Sequence, residues 1–204
     1  MKRTSSLITL SAMLLTAFGT AQADLIENGS FEEDTQAAGT WSVYDELMGW
    51  TSEGAGIEVR NNVAGAAYDG VNYIELDSHN GQDTNSAAIQ VIGTSAIEYL
   101  LSFAYSPRIH QSESTNGIEV FWNDVSLGVF TGTGGATHNW QVVSIVVTGG
   151  AQESTLKFKA VGTDDSLGGS LDAVSLVSVP EPSTLALLGL GLVGLGFSRR
   201  RLAS

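Results

Sequence analysis

The chain has 204 residues, with 22 acidic against nine basic side chains, a formal charge of −13 and no cysteine. That balance excludes a nucleic-acid-binding role, because phosphates need Lys and Arg. The lack of cysteine excludes a thiol nucleophile, a thiolate zinc centre, a haem-attachment motif and support from disulfides.

The first 23 residues have the order of an export signal. Lys2 and Arg3 form a basic start, residues 7–17 an apolar stretch, and Ala21-Gln22-Ala23 a small-residue cleavage site. The mature chain is therefore expected to begin at Asp24, after export through the Sec pathway. Residues 24–179 then form one domain of 156 residues, enough to bury roughly 70% of its unfolded surface. Five of the nine basic residues and one of the 22 acids lie outside this body. It therefore carries Arg60, Arg108, Lys157 and Lys159 against 21 acids, a formal charge of −17. Such a charge suits solubility outside the cell, cation binding, or neutral partners such as sugars.

The body reads as strands throughout. After the segment Leu25-Ile26-Glu27-Asn28-Gly29-Ser30-Phe31-Glu32, strands are expected at 57–60, 73–76, 88–92, 99–105, 118–122, 140–147, 156–160 and 172–177. In the clearest of these, apolar and polar residues alternate with period two. Turn residues separate them, as at Asp69-Gly70, Asn116-Gly117, Gly149-Gly150 and Gly168-Gly169. About nine short strands predict an all-β protein, an antiparallel jelly-roll β-sandwich. Gly56-Ile57-Glu58-Val59 recurs as Gly117-Ile118-Glu119-Val120, an echo suited to two similar strands in opposite sheets. Trp122 and Trp140 alternate in phase with apolar residues and are assigned to the core.

The candidate ligand site follows from side-chain chemistry. A sugar offers an apolar face to an aromatic ring and a rim of hydroxyls to Arg and Asn. Arg60 and Asn61 end one strand, Arg108 follows another, and Tyr68 lies in the loop between strands. Arg60, Asn61, Tyr68 and Arg108 are therefore expected to share a shallow surface groove, outside the filled core. Trp41, Tyr44 and Trp50 also stand outside the clearest core strands.

Other motifs carry no chemistry. His79, His110 and His138 lack metal-binding spacing, and no G-x-S-x-G elbow is present. Residues 189–194 satisfy G-x-G-x-x-G, but within an apolar tail. The acidic stretch 77–83 and Asp164-Asp165 read as solvated loops. Glu58, Glu75 and Glu119 are candidate carboxylates for glycoside hydrolysis, but acids on the wet faces of strands are expected in so acidic a protein. No catalytic residue is assigned.

Residues 180–204 end the chain with Pro180-Glu181-Pro182, an apolar run at 185–197, and Arg199-Arg200-Arg201. The Pro-Glu-Pro segment cannot continue a strand or helix. The apolar run falls short of the ~20 residues of a stable spanning helix. The basic cluster would stay on the cytoplasmic side. This order resembles the PEP-CTERM sorting signal of exported bacterial proteins. The resemblance implies transient insertion of a hydrophobic C-terminal helix in the inner membrane and processing by an exosortase. The body is then delivered to the cell surface or the extracellular space.

The body also resembles a family. The opening segment at 25–32 and the closing Ser170-Leu171-Asp172-Ala173-Val174-Ser175-Leu176 are similar to the first and last strands of galactose-binding-like jelly rolls, which include many carbohydrate-binding modules. That resemblance implies a structural calcium held by Glu32 and Asp172. Together these readings predict an exported, surface-sorted, noncatalytic protein that binds glycan, with extracellular polysaccharide or biofilm matrix as partner. The alternatives are a structural matrix or envelope protein with no specific ligand and a glycoside hydrolase.

Overall fold

The computed structural model describes residues 22–78 and 85–180. Residues 1–21 of the expected signal peptide, the Pro-Glu-Pro motif beyond Pro180, the apolar tail and the arginine cluster lie outside the described residues. Twelve strands make up the regular structure among them. They are β1 (Trp41–Tyr44), β2 (Glu46–Leu47), β3 (Trp50–Glu53), β4 (Ile57–Asn61), β5 (Asn72–Glu75), β6 (Ala87–Gly93), β7 (Glu98–Ser106), β8 (Gly117–Trp122), β9 (Val125–Phe130), β10 (Gln141–Thr148), β11 (Glu153–Val161) and β12 (Ser170–Ser178).

Two six-stranded sheets form, in the orders β1-β4-β5-β12-β7-β10 and β2-β3-β6-β11-β8-β9. All pairings are antiparallel, as in β4 with β5, where Glu58 stands opposite Glu75 and Arg60 opposite Tyr73. The all-β sandwich expected from period-two alternation is the observed fold. The echoed Gly-Ile-Glu-Val segments start β4 in the first sheet and β8 in the second.

Three features differ from the sequence reading. Residues 25–32 run beside β12 without forming a strand. Two main-chain bonds join them to it, Leu25 N to Leu176 O and Val174 N to Gly29 O, both within 2.9 Å. Left-handed backbone at Asn28 (φ 52°) and Phe31 (φ 59°) breaks the extended ladder between and beyond those contacts. Strands β1, β2, β3 and β9 escape the pattern because three span four residues or fewer and β9 is broken by Gly128 at φ 136°. Trp140 is not in the core. It precedes β10, and its indole N–H turns outward to the Ala66 carbonyl at 3.0 Å.

The core fills the space between the sheets. Phe31, Trp50, Phe103 and Phe158 are all at most 1% exposed. Their rings meet in a chain, tilted at Phe31–Trp50 (5.7 Å) and edge-on at Phe103–Phe158 (5.1 Å). Trp50 also donates its indole N–H to the carbonyls of Glu27 and Asn28 at 3.1 and 3.2 Å. One buried ring thus pins the irregular opening segment to the sandwich, satisfying its only polar atom on the way.

Candidate functional site: an arginine–glutamate cavity on the outer face

Every residue of β4 is buried, and so is every residue of β5. Alternation normally leaves one sheet face wet. Here loops cover the outer face of the first sheet at β4 and β5, so the outward side chains of these two strands are enclosed as well. The loop at 62–68 is tied down by three rings. Tyr73 donates its hydroxyl to the Val63 carbonyl, His138 Nδ1 lies 2.8 Å from the Ala66 carbonyl, and Trp140 reaches the same oxygen. His138 also packs edge-on against Tyr73 and Trp140 at 5.0 and 4.9 Å. Burial lowers the proton affinity of its imidazole.

The opposite wall is the loop at 163–168. Asp77, fully buried and itself at φ 76°, accepts the amides of Asp165 and Leu167 on Oδ2 at 3.0 and 3.3 Å. Burial pushes the Asp77 carboxyl up to about 6; those two amides pull it down and Asp164 pushes it up. The reading of Asp77 as part of a solvated loop is thus corrected: its role is structural support for this wall. The remainder of the stretch to residue 83 is described only at Ser78.

Between these walls lies a cavity of ≈ 420 Å³ lined by Trp41, Glu58, Arg60, Val63, Ala64, Arg108, Asp165, Ser166 and Leu167. Its size lies within the ~300–1,000 Å³ of small-ligand sites. Backbone at Asn62, Ala64 and Ser166 is left-handed, with φ of 50°, 57° and 61°. Such conformations cost energy in residues other than glycine and cluster at ligand sites.

Charge in the cavity is tightly organised. Arg60 Nη2 donates to Glu75 Oε1 at 3.2 Å, and its Nε lies 3.2 Å from Glu75 Oε2. The same Nη2 pairs with Glu58 Oε1. Arg108 pairs through Nη1 with Glu75 Oε1 and donates from that nitrogen to the Ser166 carbonyl at 3.1 Å. Glu75 therefore lies between two guanidiniums. Burial pushes its carboxyl up, and the touching Arg60 and Arg108 pull it down. With two cations against its oxygens, it acts as the shared anion of the cluster. The Arg108 backbone is fixed in turn by buried Asn116, whose Oδ1 accepts its amide at 2.8 Å.

The structure brings Arg60 and Arg108 to one cavity, as expected. Asn61 and Tyr68 are not among its lining residues. Asn61 is buried, and its amide donates to the Gln36 carbonyl at 2.8 Å. Tyr68 is half-exposed and packs edge-on to Trp140 at 6.2 Å. Trp41, Glu58, Asp165 and Ser166 were not assigned to the site from sequence. Glu58 and Glu75 were read as wet-face acids, whereas both are 0% exposed. Their place opposite each other is legible only once β4 and β5 are known to pair. Glu119 lies in the other sheet and accepts the Ser126 hydroxyl.

Glu32 and Asp172 converge on one segment, 68–72. Asp172 Oδ2 accepts the amides of Tyr68 and Asp69 at 2.8 and 3.0 Å, and its Oδ1 that of Ala173. Glu32 Oε1 accepts the amides of Val71 and Asn72 at 2.7 and 2.6 Å. Burial pushes the Asp172 carboxyl up to about 7, against the pull of its three amides. No Lys or Arg pairs with it among the described residues. A buried carboxylate with no cationic side chain beside it, and a second acid on the same segment, are donors that suit a hard cation such as calcium. Glu32 and Asp172 would hold such an ion, and its charge would offset the cost of burying Asp172. Among the described residues no group of three or more His, Asp or Glu gathers as a metal cluster, so backbone carbonyls and water would complete the shell.

Known proteins bear on both ends of this picture. Residues 178–201 match the PEP-CTERM protein-sorting motif, which marks an exported protein sorted to the cell surface. A stretch of 160 residues, 76% of the chain, is 31% identical to the multifunctional-autoprocessing repeats-in-toxin of Vibrio vulnificus, and spans 3% of that protein. Among solved structures, the K2 cleaved adhesin domain of Lys-gingipain superposes with a TM-score of 0.52 at 14% identity, over 79% of this chain and 100% of that one. TmCBM61 in complex with β-1,4-galactotriose superposes with a TM-score of 0.51 at 15% identity, over 77% of this chain and 99% of that one. These likenesses establish the jelly-roll fold.

Proposed function

We propose that this is a surface-sorted, noncatalytic protein that binds glycan in the cavity between the 62–68 and 163–168 loops. The observation that carries the reading is Arg108. Its Nη1 is held by Glu75 and Ser166, while its Nε and Nη2 have no partner among the described residues. It thus lines the cavity as a fixed guanidinium with donors to spare. Trp41, 43% exposed, supplies an aromatic ring at the same cavity. The similar fold of TmCBM61, solved with β-1,4-galactotriose, supports a sugar ligand. Glu58 and Glu75 are committed to guanidiniums, which favours recognition over hydrolysis. Extracellular polysaccharide of the producing cell is the proposed natural partner, and an exosortase-type enzyme the proposed processing partner. Export by the Sec pathway and a structural calcium at Glu32 and Asp172 belong to the same proposal.

The test is titration of the exported protein with extracellular polysaccharide from its own source. Trp41→Ala is expected to weaken binding and Tyr68→Ala to leave it unchanged. Absence of binding by the parent protein would overturn the reading. One observation favours the structural rival. The outer strand β10 reads Gln-Val-Val-Ser-Ile-Val-Val-Thr, without charge or proline, and exposes Val142 and Val146. Such an edge lacks the usual guards against pairing with another chain. Ligand-free self-association of the parent, abolished by Val146→Lys, would support that rival.

A further inference from the structure

Two arginines lining one cavity suggest an anion site. The charges around them point the other way. Three carboxylates, Glu58, Glu75 and Asp165, stand at or directly behind the cavity against the guanidiniums of Arg60 and Arg108. Arg60 is 4% exposed and contacts both glutamates. Arg108 is committed to Glu75 through one nitrogen. Asp165 lines the cavity, and its carboxylate accepts only the neutral hydroxyl of Thr115 among the described residues. The guanidinium charge is therefore already balanced, and the surrounding body is strongly acidic, with four basic residues against 21 acids. An incoming carboxylate or sulfate would find no uncompensated cation and would meet like charge.

Hydrogen-bonding capacity, by contrast, is left over. Arg108 Nε–H and Nη2–H lie on one side of a planar guanidinium, parallel and fixed in spacing. A fork of this kind matches two neighbouring hydroxyl oxygens of a sugar ring as readily as it matches a carboxylate. The carboxylate of Asp165, which lines the cavity, can accept from hydroxyl donors, which a sugar has and a carboxylate lacks. Val63, Ala64 and Leu167 add apolar surface beside Trp41.

Building on the glycan reading, we infer that this cavity selects a neutral pyranose, gripped at a vicinal hydroxyl pair by the Nε–Nη2 edge of Arg108, and rejects uronates and sulfated sugars.

The experiment uses the exported protein and matched polymers: polygalacturonate before and after reduction of its carboxyls to primary alcohols, with neutral glucan, mannan and galactan beside them. At least one neutral polymer is expected to bind about tenfold or more tighter than any charged one, the difference expected for one charge-assisted hydrogen-bonding group. That binding is expected to be unchanged between low and high salt, as suits an uncharged ligand. Arg108→Lys keeps the positive charge beside Glu75 and removes the fork. It is expected to lose about tenfold in affinity with an unchanged denaturation midpoint. Tighter binding of the charged polymer, lost in high salt, would overturn the selectivity and leave the glycan reading standing. Full affinity in Arg108→Lys would overturn the grip by Arg108. Failure of every polymer to bind, with the protein folded, would overturn the glycan reading itself.

Discussion

Glu58 and Glu75 stand directly opposite each other on β4 and β5, and neither is exposed to solvent. Like charges placed so repel, and burial makes each costly. The pair is tolerated because Arg60 reaches both carboxylates and Arg108 reaches Glu75. Removing Glu75 would leave buried Arg60 with Glu58 alone and Arg108 Nη1 with only the Ser166 carbonyl. Glu75→Ala is therefore expected to lower unfolding free energy by about 3–5 kcal/mol, the cost of breaking a buried pair from one side. Urea denaturation measures it, and a loss under about 1 kcal/mol would show that the cluster relaxes freely.

The Asp172 carboxyl gives a pH dependence with a defined sign. Its value rises from 3.8 unfolded to about 7 folded, chiefly by burial. Between those values the native state holds a proton that the unfolded chain has released. In chelator, its contribution to stability therefore falls as pH rises from about 4 to 7, by at most about 1.4 kcal/mol per unit. Asp77 adds a slope of the same sign, so the comparison is between parent and Asp172→Asn, whose slope should be shallower. Calcium bound at Glu32 and Asp172 would hold the carboxylate ionised, flatten the parent's slope and raise Tm at neutral pH. Identical melting in calcium and chelator would remove the metal from the picture.

Gly168 lies where the 163–168 wall meets the end of β5. A Cβ there would come 1.5 Å from the Leu76 carbonyl oxygen, a backbone atom with no side-chain freedom to yield. Gly168→Ala is expected to cost about 1–3 kcal/mol by overpacking. It should also weaken ligand binding, because the cavity wall carrying Asp165 and Ser166 is displaced. A variant with parental Tm and affinity would show that this loop is not held where the structure places it.

Processing supplies the last test. The sorting motif at 178–201 is expected to be cut at Pro180-Glu181-Pro182, and the signal peptide before Asp24. Asp24 Oδ1 accepts the amides of Ile26 and Leu176 at 3.0 and 2.8 Å, so the residue expected at the new N-terminus already ties the opening segment to β12. Glu181→Ala is expected to leave an uncut, membrane-retained form. Mass spectrometry of released protein still carrying residues 185–197 would contradict this route.

Some of this was legible in the sequence because its physical cause is local. Alternation along 99–105, 118–122 and 156–160 reports one buried sheet face, and an all-β sandwich follows from that alone. The order of proline, apolar run and arginines at the C-terminus is likewise read off adjacent residues. The meeting of Arg60 and Arg108 was anticipated from their places at strand ends. What alternation cannot report is a second layer of cover. Glu58 and Glu75 have the spacing of wet-face acids, and only the loops folded over β4 and β5 make them buried partners of arginine. Trp140 keeps the phase of a core residue, yet the strand begins one position later and its ring turns out to Ala66. Asn61 and Tyr68 neighbour the cavity in sequence, yet neither lines it. Which side chains share a site is decided by contacts between residues far apart in sequence, such as Tyr68 and Asp172, and those exist only when the chain is closed.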